Sequence, residues 1–129
     1  MKISGLGTDI VSVPRISDLI HRYGDRFLKR CFLPGEIEWA KRRGLGQAAS
    51  LAGRWAAKEA FLKALGTHVG HIPYGDIEVV RSDQGPVSLR LHGRAEECLT
   101  TMGQTECLLT ISHEKEFATA TVLIQTLNT

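Results

Sequence analysis

The feature that most constrains this chain is an unbroken run of helix formers from Gln47 to Leu65, in which Ala, Leu, Lys and Glu dominate. Gly66 follows, where a helix C-terminus favours a left-handed residue. At about 100° per residue, Ala48, Leu51, Ala52, Trp55 and Leu62 form one stripe. The opposite side carries Ala49, Gly53, Ala57, Ala60 and Ala64, small residues that let another element approach closely. Arg54 and Lys58 share a third edge. A helix apolar on nearly every side is a buried helix, so the rest of the chain is expected to wrap around this one. Glu59 falls inside the apolar stripe, one turn from Trp55 and one from Leu62. A carboxylate there costs several kcal/mol unless it is paired, protonated or bound to a metal. The plain reading is an ion pair with Lys63, four residues on, along a partly wet edge. The sharper one is a functional site.

The flanking segments divide by their periodicity. Lys2 to Val13 reads as a strand with Ile3, Gly5, Gly7, Asp9 and Val11 on one face. Glycines at alternate positions imply that another backbone or a ligand comes close. Ser12 or Val13 is the better cap for a helix with Pro14 in its first turn, which leaves Asp9 without a structural task. That helix runs to about Tyr23, with Ile16, Leu19 and Ile20 on its apolar side. Arg15, Arg22 and Arg26 recur on the other side, as a solvated face or as a dock for an acidic protein. Asp25 is expected to cap a short helix through Arg30. Pro34-Gly35-Glu36 starts another, reaching about Arg43, with Trp39 as its core anchor; Trp55 is also read as core.

Beyond Gly66, a loop spans Thr67 to Gly75. Asp76–Arg81 and Val87–Leu91 make a hairpin, Gly93 to about Met102 a helix, and Glu106–His113 with Glu116–Thr126 a second hairpin. Strands that pair through hairpins argue for an α+β fold, an antiparallel sheet packed on a long central helix, and against a doubly wound parallel sheet.

The 129 residues point to one domain, 1–129, large enough to bury a core. A net charge of only +2, without aromatics interleaved among the basic residues, argues against nucleic-acid binding. Lys and Arg nevertheless crowd the first half, which should present a basic face to an acidic partner or a phosphorylated ligand. Cys31, Cys98 and Cys107 form no CxxC pair and read as reduced thiols of a cytoplasmic protein. There is no signal-peptide pattern and no run long enough to span a membrane. The strand beginning at Met1 reads as the start of a stand-alone protein rather than a piece of a larger synthase.

Two carboxylates in apolar settings, Asp9 and Glu59, and a ring of cations, Arg54, Lys58 and Lys63, suit a hard divalent ion. Mg²⁺ is usually held by one or two carboxylates plus substrate phosphates, with basic groups taking the remaining phosphate charge. No Walker loop or GxGxxG is present.

Gly5-Leu6-Gly7-Thr8-Asp9-Ile10-Val11 and Arg54-Trp55-Ala56-Ala57-Lys58-Glu59-Ala60-Phe61-Leu62-Lys63-Ala64-Leu65-Gly66-Thr67 resemble the two signature motifs of the 4′-phosphopantetheinyl transferases, in order and separation, and closest to the short bacterial type. Gly85-Pro86 and Thr110-Ile111-Ser112-His113 also look like that family. The resemblance implies the family's fold and its reaction, transfer of 4′-phosphopantetheine from coenzyme A to a serine of an apo acyl carrier protein with release of adenosine 3′,5′-bisphosphate. It implies Mg²⁺ at Asp9 and Glu59 and CoA phosphates held by Arg54, Lys58 and Lys63. It also implies a homotrimer with sites between subunits, where Gly85, Pro86 and His113 of a neighbour approach the adenosine and its 3′-phosphate. Glu59 or Lys63 would take the serine proton, and Arg15, Arg22 and Arg26 would dock the acidic carrier. His68 departs from the glycine usual at its place in the family. The alternative from another class is a non-catalytic CoA- or carrier-protein-binding module. Which carrier is modified, for fatty-acid or polyketide synthesis, stays open.

Overall fold

The computed structural model describes residues 1–66, 70–81 and 85–127. Its elements are β1 (Lys2–Ser12), α1 (Val13–Tyr23), α2 (Asp25–Cys31), α3 (Pro34–Lys41), a 3₁₀ turn (Gly44–Gly46), α4 (Gln47–Leu65), a second 3₁₀ turn (Tyr74–Asp76), β2 (Ile77–Arg81), β3 (Val87–Leu91), α5 (Gly93–Thr100), β4 (Thr105–His113) and β5 (Phe117–Thr126). The central helix has the limits its composition implied, and Gly66 ends it with φ 97°. Ser12 caps α1, its hydroxyl accepting from the Arg15 N–H at 3.2 Å.

β1 lies directly on α4, and the alternating glycines make this possible. A Cβ at Gly5 would collide with the Ala64 carbonyl, and one at Gly7 with the Ala60 carbonyl, while lying 2.7 Å from the Ala64 nitrogen. Small residues on both elements bring strand and helix backbones together, and the strand's C-terminal half is held beside the middle of α4. β1 pairs antiparallel with β5, which pairs antiparallel with β4. Ala118, Ala120, Val122 and Ile124 of β5 bury the inner face. On the outer face Leu6, Leu123 and Leu108 stand in one row and Thr8, Thr121 and Thr110 in the next. Leu6, Ile10 and Leu108 are exposed there.

The antiparallel pairing falls in two sheets: beside β1–β5–β4, the β2–β3 hairpin forms its own, with Ile77 and Val79 turned into the core. Two expectations fail for local reasons. Asp25 does not cap α2 but lies inside it, because Gly24, at φ 56°, takes the cap position. Trp39 is no core anchor. Its neighbour Ala40 takes the buried position, and the Trp39 ring lies at the rim with the guanidinium carbons of Arg43, Arg42 and Arg54 at 4.3, 5.2 and 5.9 Å from its centre.

One charged pair is sealed inside. Lys58 of α4 and Glu36 of α3 meet at 2.8 Å, both wholly buried. Glu36 also accepts from the Leu33 and Val79 N–H groups, at 2.8 and 2.9 Å. Lys58 donates further to the carbonyls of Tyr74 and Ile77, at 3.1 and 2.6 Å. Burial pushes the Lys58 pKa down, opposed by the Glu36 charge and hydrogen bond. Among the described residues no helix is long and apolar enough to cross a membrane.

Candidate active site

Where β1 passes α4, a cleft of about 370 Å³ is lined by Asp9, Arg15, Trp55, Glu59 and Tyr74, among others. Asp9 arrives on the same strand face as Gly7, turned to the helix. Lys63 reaches across to it, Nζ donating to Asp9 Oδ1 and to the Thr8 carbonyl, each at 3.0 Å. The anticipated Glu59–Lys63 pair is therefore not formed, because the close approach of β1 offers Lys63 two acceptors at once. Glu59 instead accepts, at Oε2, a 2.7 Å hydrogen bond from the Tyr74 hydroxyl. Burial, reinforced by that bond and by the Glu59 charge, holds the Tyr74 phenol well above its ordinary pKa.

Glu59 is half-buried, not deeply buried as its stripe implied. The start of α1, through Val13 and Ile16, joins Leu51 and Ala52 in a core beneath it. Further along the same stripe, Trp55, Glu59 and Leu62 stay half-open. Trp55 is a wall rather than core, its ring between Phe27 and Tyr74 with centroids 5.7 and 5.8 Å away.

The donor set suits one kind of metal. Among the described residues no group of three or more His, Cys, Asp or Glu could hold an ion. Two carboxylates on one cleft remain, and Oε1 of Glu59 and Oδ2 of Asp9 have no partner among the described residues. Zinc sites need more protein ligands than this. Mg²⁺ commonly takes one or two carboxylates and completes its octahedron with water and phosphate oxygens.

The expected cations do not form one ring. Arg54 and Trp55 are successive residues of a helix and face different ways. Arg54 lines a second cleft, of about 450 Å³, with Trp39, Arg43, Ser50, Arg81 and His113, which shares no lining residue with the first. Gly85 and Pro86 precede Val87, another residue of its wall. Arg54 is 5% exposed; its guanidinium donates to the Ser50 hydroxyl at 3.0 Å and leaves Nε without a partner among the described residues. Burial pushes its pKa down, the Glu36 charge opposes this, and Arg81 and Arg43 add to it. Such a pocket favours an anion.

Lys58 joins neither cleft. An ammonium has three donors, and Glu36, Tyr74 and Ile77 take all of them, so its expected role as a phosphate ligand does not fit this geometry. Arg15 lines the first cleft; Arg22 and Arg26 are exposed on α1 and α2. Thr67 and His68 lie outside the described residues. Tyr74 and Glu36 are not singled out by the sequence as site residues. Glu36 has the spacing of a helix-capping acid, bonding the Leu33 N–H, but its bonds to Lys58 and Val79, and that of Tyr74 to Glu59, are long-range.

The family model of the 4′-phosphopantetheinyl transferase superfamily matches residues 5–122. The holo-[acyl-carrier-protein] synthase of Gloeobacter violaceus is 43% identical over 92% of this chain and 90% of its own length. That of Halothermothrix orenii is 44% identical over 94% and 96%. Among solved structures, the Chronobacterium ammoniagenes ACPS–CoA complex aligns with TM-score 0.83 and 34% identity over 96% of this chain and 98% of that one. The holo-[acyl-carrier-protein] synthase of Neisseria meningitidis aligns with TM-score 0.85 and 31% identity over 96% and 99%. A sheet-on-helix frame that brings the acids of two separated motifs to one cleft, and matches these structures nearly end to end, belongs to the 4′-phosphopantetheinyl transferase superfamily.

Proposed function

We propose that this chain is a holo-[acyl-carrier-protein] synthase, moving 4′-phosphopantetheine from coenzyme A to a serine of an apo acyl carrier protein. The observation that carries this reading is the convergence of Asp9 and Glu59 on one cleft with Lys63 at its edge. The curated relatives carry the same name, and a similar structure holds CoA.

The serine oxygen forms a bond to the β-phosphorus of CoA as the bond from that phosphorus to the bridging oxygen breaks, and adenosine 3′,5′-bisphosphate leaves. A magnesium ion at Asp9 and Glu59 supplies charge neutralisation for the pyrophosphate when bound. Lys63, more than half exposed, can turn its ammonium from Asp9 to the developing charge on the leaving oxygen. The serine proton passes to Glu59, or to Lys63 as the rival base. Arg15, Arg22 and Arg26 form the basic edge for the carrier, which speeds encounter. Cys31, Cys98 and Cys107, all free thiols, favour a cytoplasmic setting.

The cationic cleft is the complement. Arg54, His113 and the adjoining Gly85-Pro86 suit the adenosine 3′-phosphate, yet they share no wall with the carboxylates. A homotrimer in which this cleft of one subunit faces the Asp9–Glu59 cleft of the next completes the site. The open sheet face with Leu6, Leu123 and Leu108 in register offers an apolar surface for that assembly.

Intact-mass spectrometry of an apo acyl carrier protein incubated with CoA, Mg²⁺ and this protein tests the reaction. One added phosphopantetheine, absent with chelator, is expected; no gain while CoA still binds would favour a non-catalytic binding module. For the shared site, Asp9→Ala and Arg54→Ala proteins, each impaired alone, should regain activity when mixed and allowed to exchange subunits. No recovery, or a monomer by light scattering, would refute it.

A further inference from the structure

We propose that Tyr74 is a positioning residue for the Glu59 carboxylate. The inference rests on the reading of Glu59 as a working group of the Asp9 cleft, and goes beyond it by assigning a residue outside both signature segments. Tyr74 opens the 3₁₀ turn before β2, and its hydroxyl donates to Glu59 Oε2 at 2.7 Å. A carboxylate on a helix with no other partner is free to rotate about its side-chain torsions. The hydrogen bond to Oε2 restricts that rotation and leaves Oε1 without a partner among the described residues.

The donor itself is held from two directions. The Tyr74 ring packs on Trp55, at 5.8 Å between centroids and 58° between planes, and Trp55 packs on Phe27. The backbone is gripped by Lys58, whose ammonium bonds the carbonyls of Tyr74 and of Ile77 at the two ends of the turn. Glu36 anchors that ammonium, and its other oxygen takes the Val79 N–H of β2. Lys58 and Glu59 are successive residues of α4. The first reaches inward to hold the turn, and the turn returns the Tyr74 hydroxyl to the second. The buried pair thus serves the open cleft through one phenol. Asp9 has the corresponding arrangement with a cationic donor, Lys63. Partners of this kind around ligating groups are worth roughly 10–100-fold in metal affinity or activity.

Tyr74→Phe keeps the ring on Trp55 and removes the hydroxyl that donates to Glu59. We expect kcat to fall about tenfold, with KM for CoA and for carrier protein within about twofold, and the melting temperature to be nearly unchanged. Independently of turnover, Mn²⁺ used as the probe ion, followed by electron paramagnetic resonance in the presence of CoA, should bind about tenfold more weakly to the variant. In a Glu59→Gln background the same change should cost less than about twofold, because the coupling runs through that carboxylate. Unaltered kcat and unaltered Mn²⁺ affinity would overturn the inference, as would an equal loss in the Gln background. Weakened Mn²⁺ binding in a protein that modifies no carrier would leave the positioning role standing and refute the proposed reaction.

Discussion

Helix α4 carries two lysines, five positions apart, that each meet a carboxylate at almost the same distance, 2.8 Å for Lys58–Glu36 and 3.0 Å for Lys63–Asp9. The side chains of the first pair are 1% and 0% exposed, those of the second 55% and 17%. Alike as contacts, the two do opposite things. The inner pair carries a large desolvation cost, met only because every donor of Lys58 and both oxygens of Glu36 are engaged. It cannot let go without stranding a charge. The outer pair is solvated, contributes little to folding, and costs little to open. A lysine meant to change partners during a reaction has to belong to the second kind.

Breaking the inner pair from one side should have the largest effect. Lys58→Met strands Glu36 and is expected to remove about 3–5 kcal/mol of stability, measured by urea unfolding. Adding Glu36→Leu should recover the part due to the stranded charge, but not the part due to the Leu33 and Val79 N–H groups and the Tyr74 and Ile77 carbonyls, which lose their partners. A double variant as unstable as the single one would mean that the pair's hydrogen bonds, not its charges, hold the turn.

The outer pair should reverse that pattern. Asp9→Ala is expected to reduce Mg²⁺-dependent transfer on the order of 100-fold, while stability changes by no more than about 1 kcal/mol. Full activity with unchanged metal dependence would remove Asp9 from the ligand set, and a large loss of stability would put this pair in the same class as the inner one.

Exposed charges without an ion pair among the described residues extend the series. Arg15→Glu with Arg22→Glu should raise KM for the carrier a few-fold and leave KM for CoA unchanged, more so at low salt. Equal effects on both substrates would place the dock elsewhere.

The smallest effect concerns the neutral donor between the two pairs. The folded state holds the Tyr74 proton above the ordinary phenol range. Its stabilisation is therefore fully present below about pH 10 and is lost as pH rises through the raised folded value. Tyr74→Phe should remove that alkaline slope from the curve of stability against pH. A slope unaltered in the variant would assign it to another group.

Much of the frame follows from short-range chemistry. The limits of α4, the Ser12 cap, the β2–β3 and β4–β5 hairpins and the tight approach at Gly5 and Gly7 each depend on propensity, caps, alternation or the absence of a Cβ, which neighbouring residues decide among themselves. That Asp9 and Glu59 call for a reason was also legible, since an acid in an apolar setting is costly, and the fold brings both to one cleft. Which partner each charge takes was decided only by the tertiary structure. Lys63 passes over Glu59, four residues away, for Asp9, 54 residues away, because β1 lies against the helix there. Lys58 turns to Glu36, 22 residues distant, and Tyr74 finds Glu59 across 15. Sequence spacing sets which face of a helix a side chain occupies; the elements packed on that face set whether it meets water, a carboxylate or a carbonyl. That choice separates a lysine that holds the fold from one free to act.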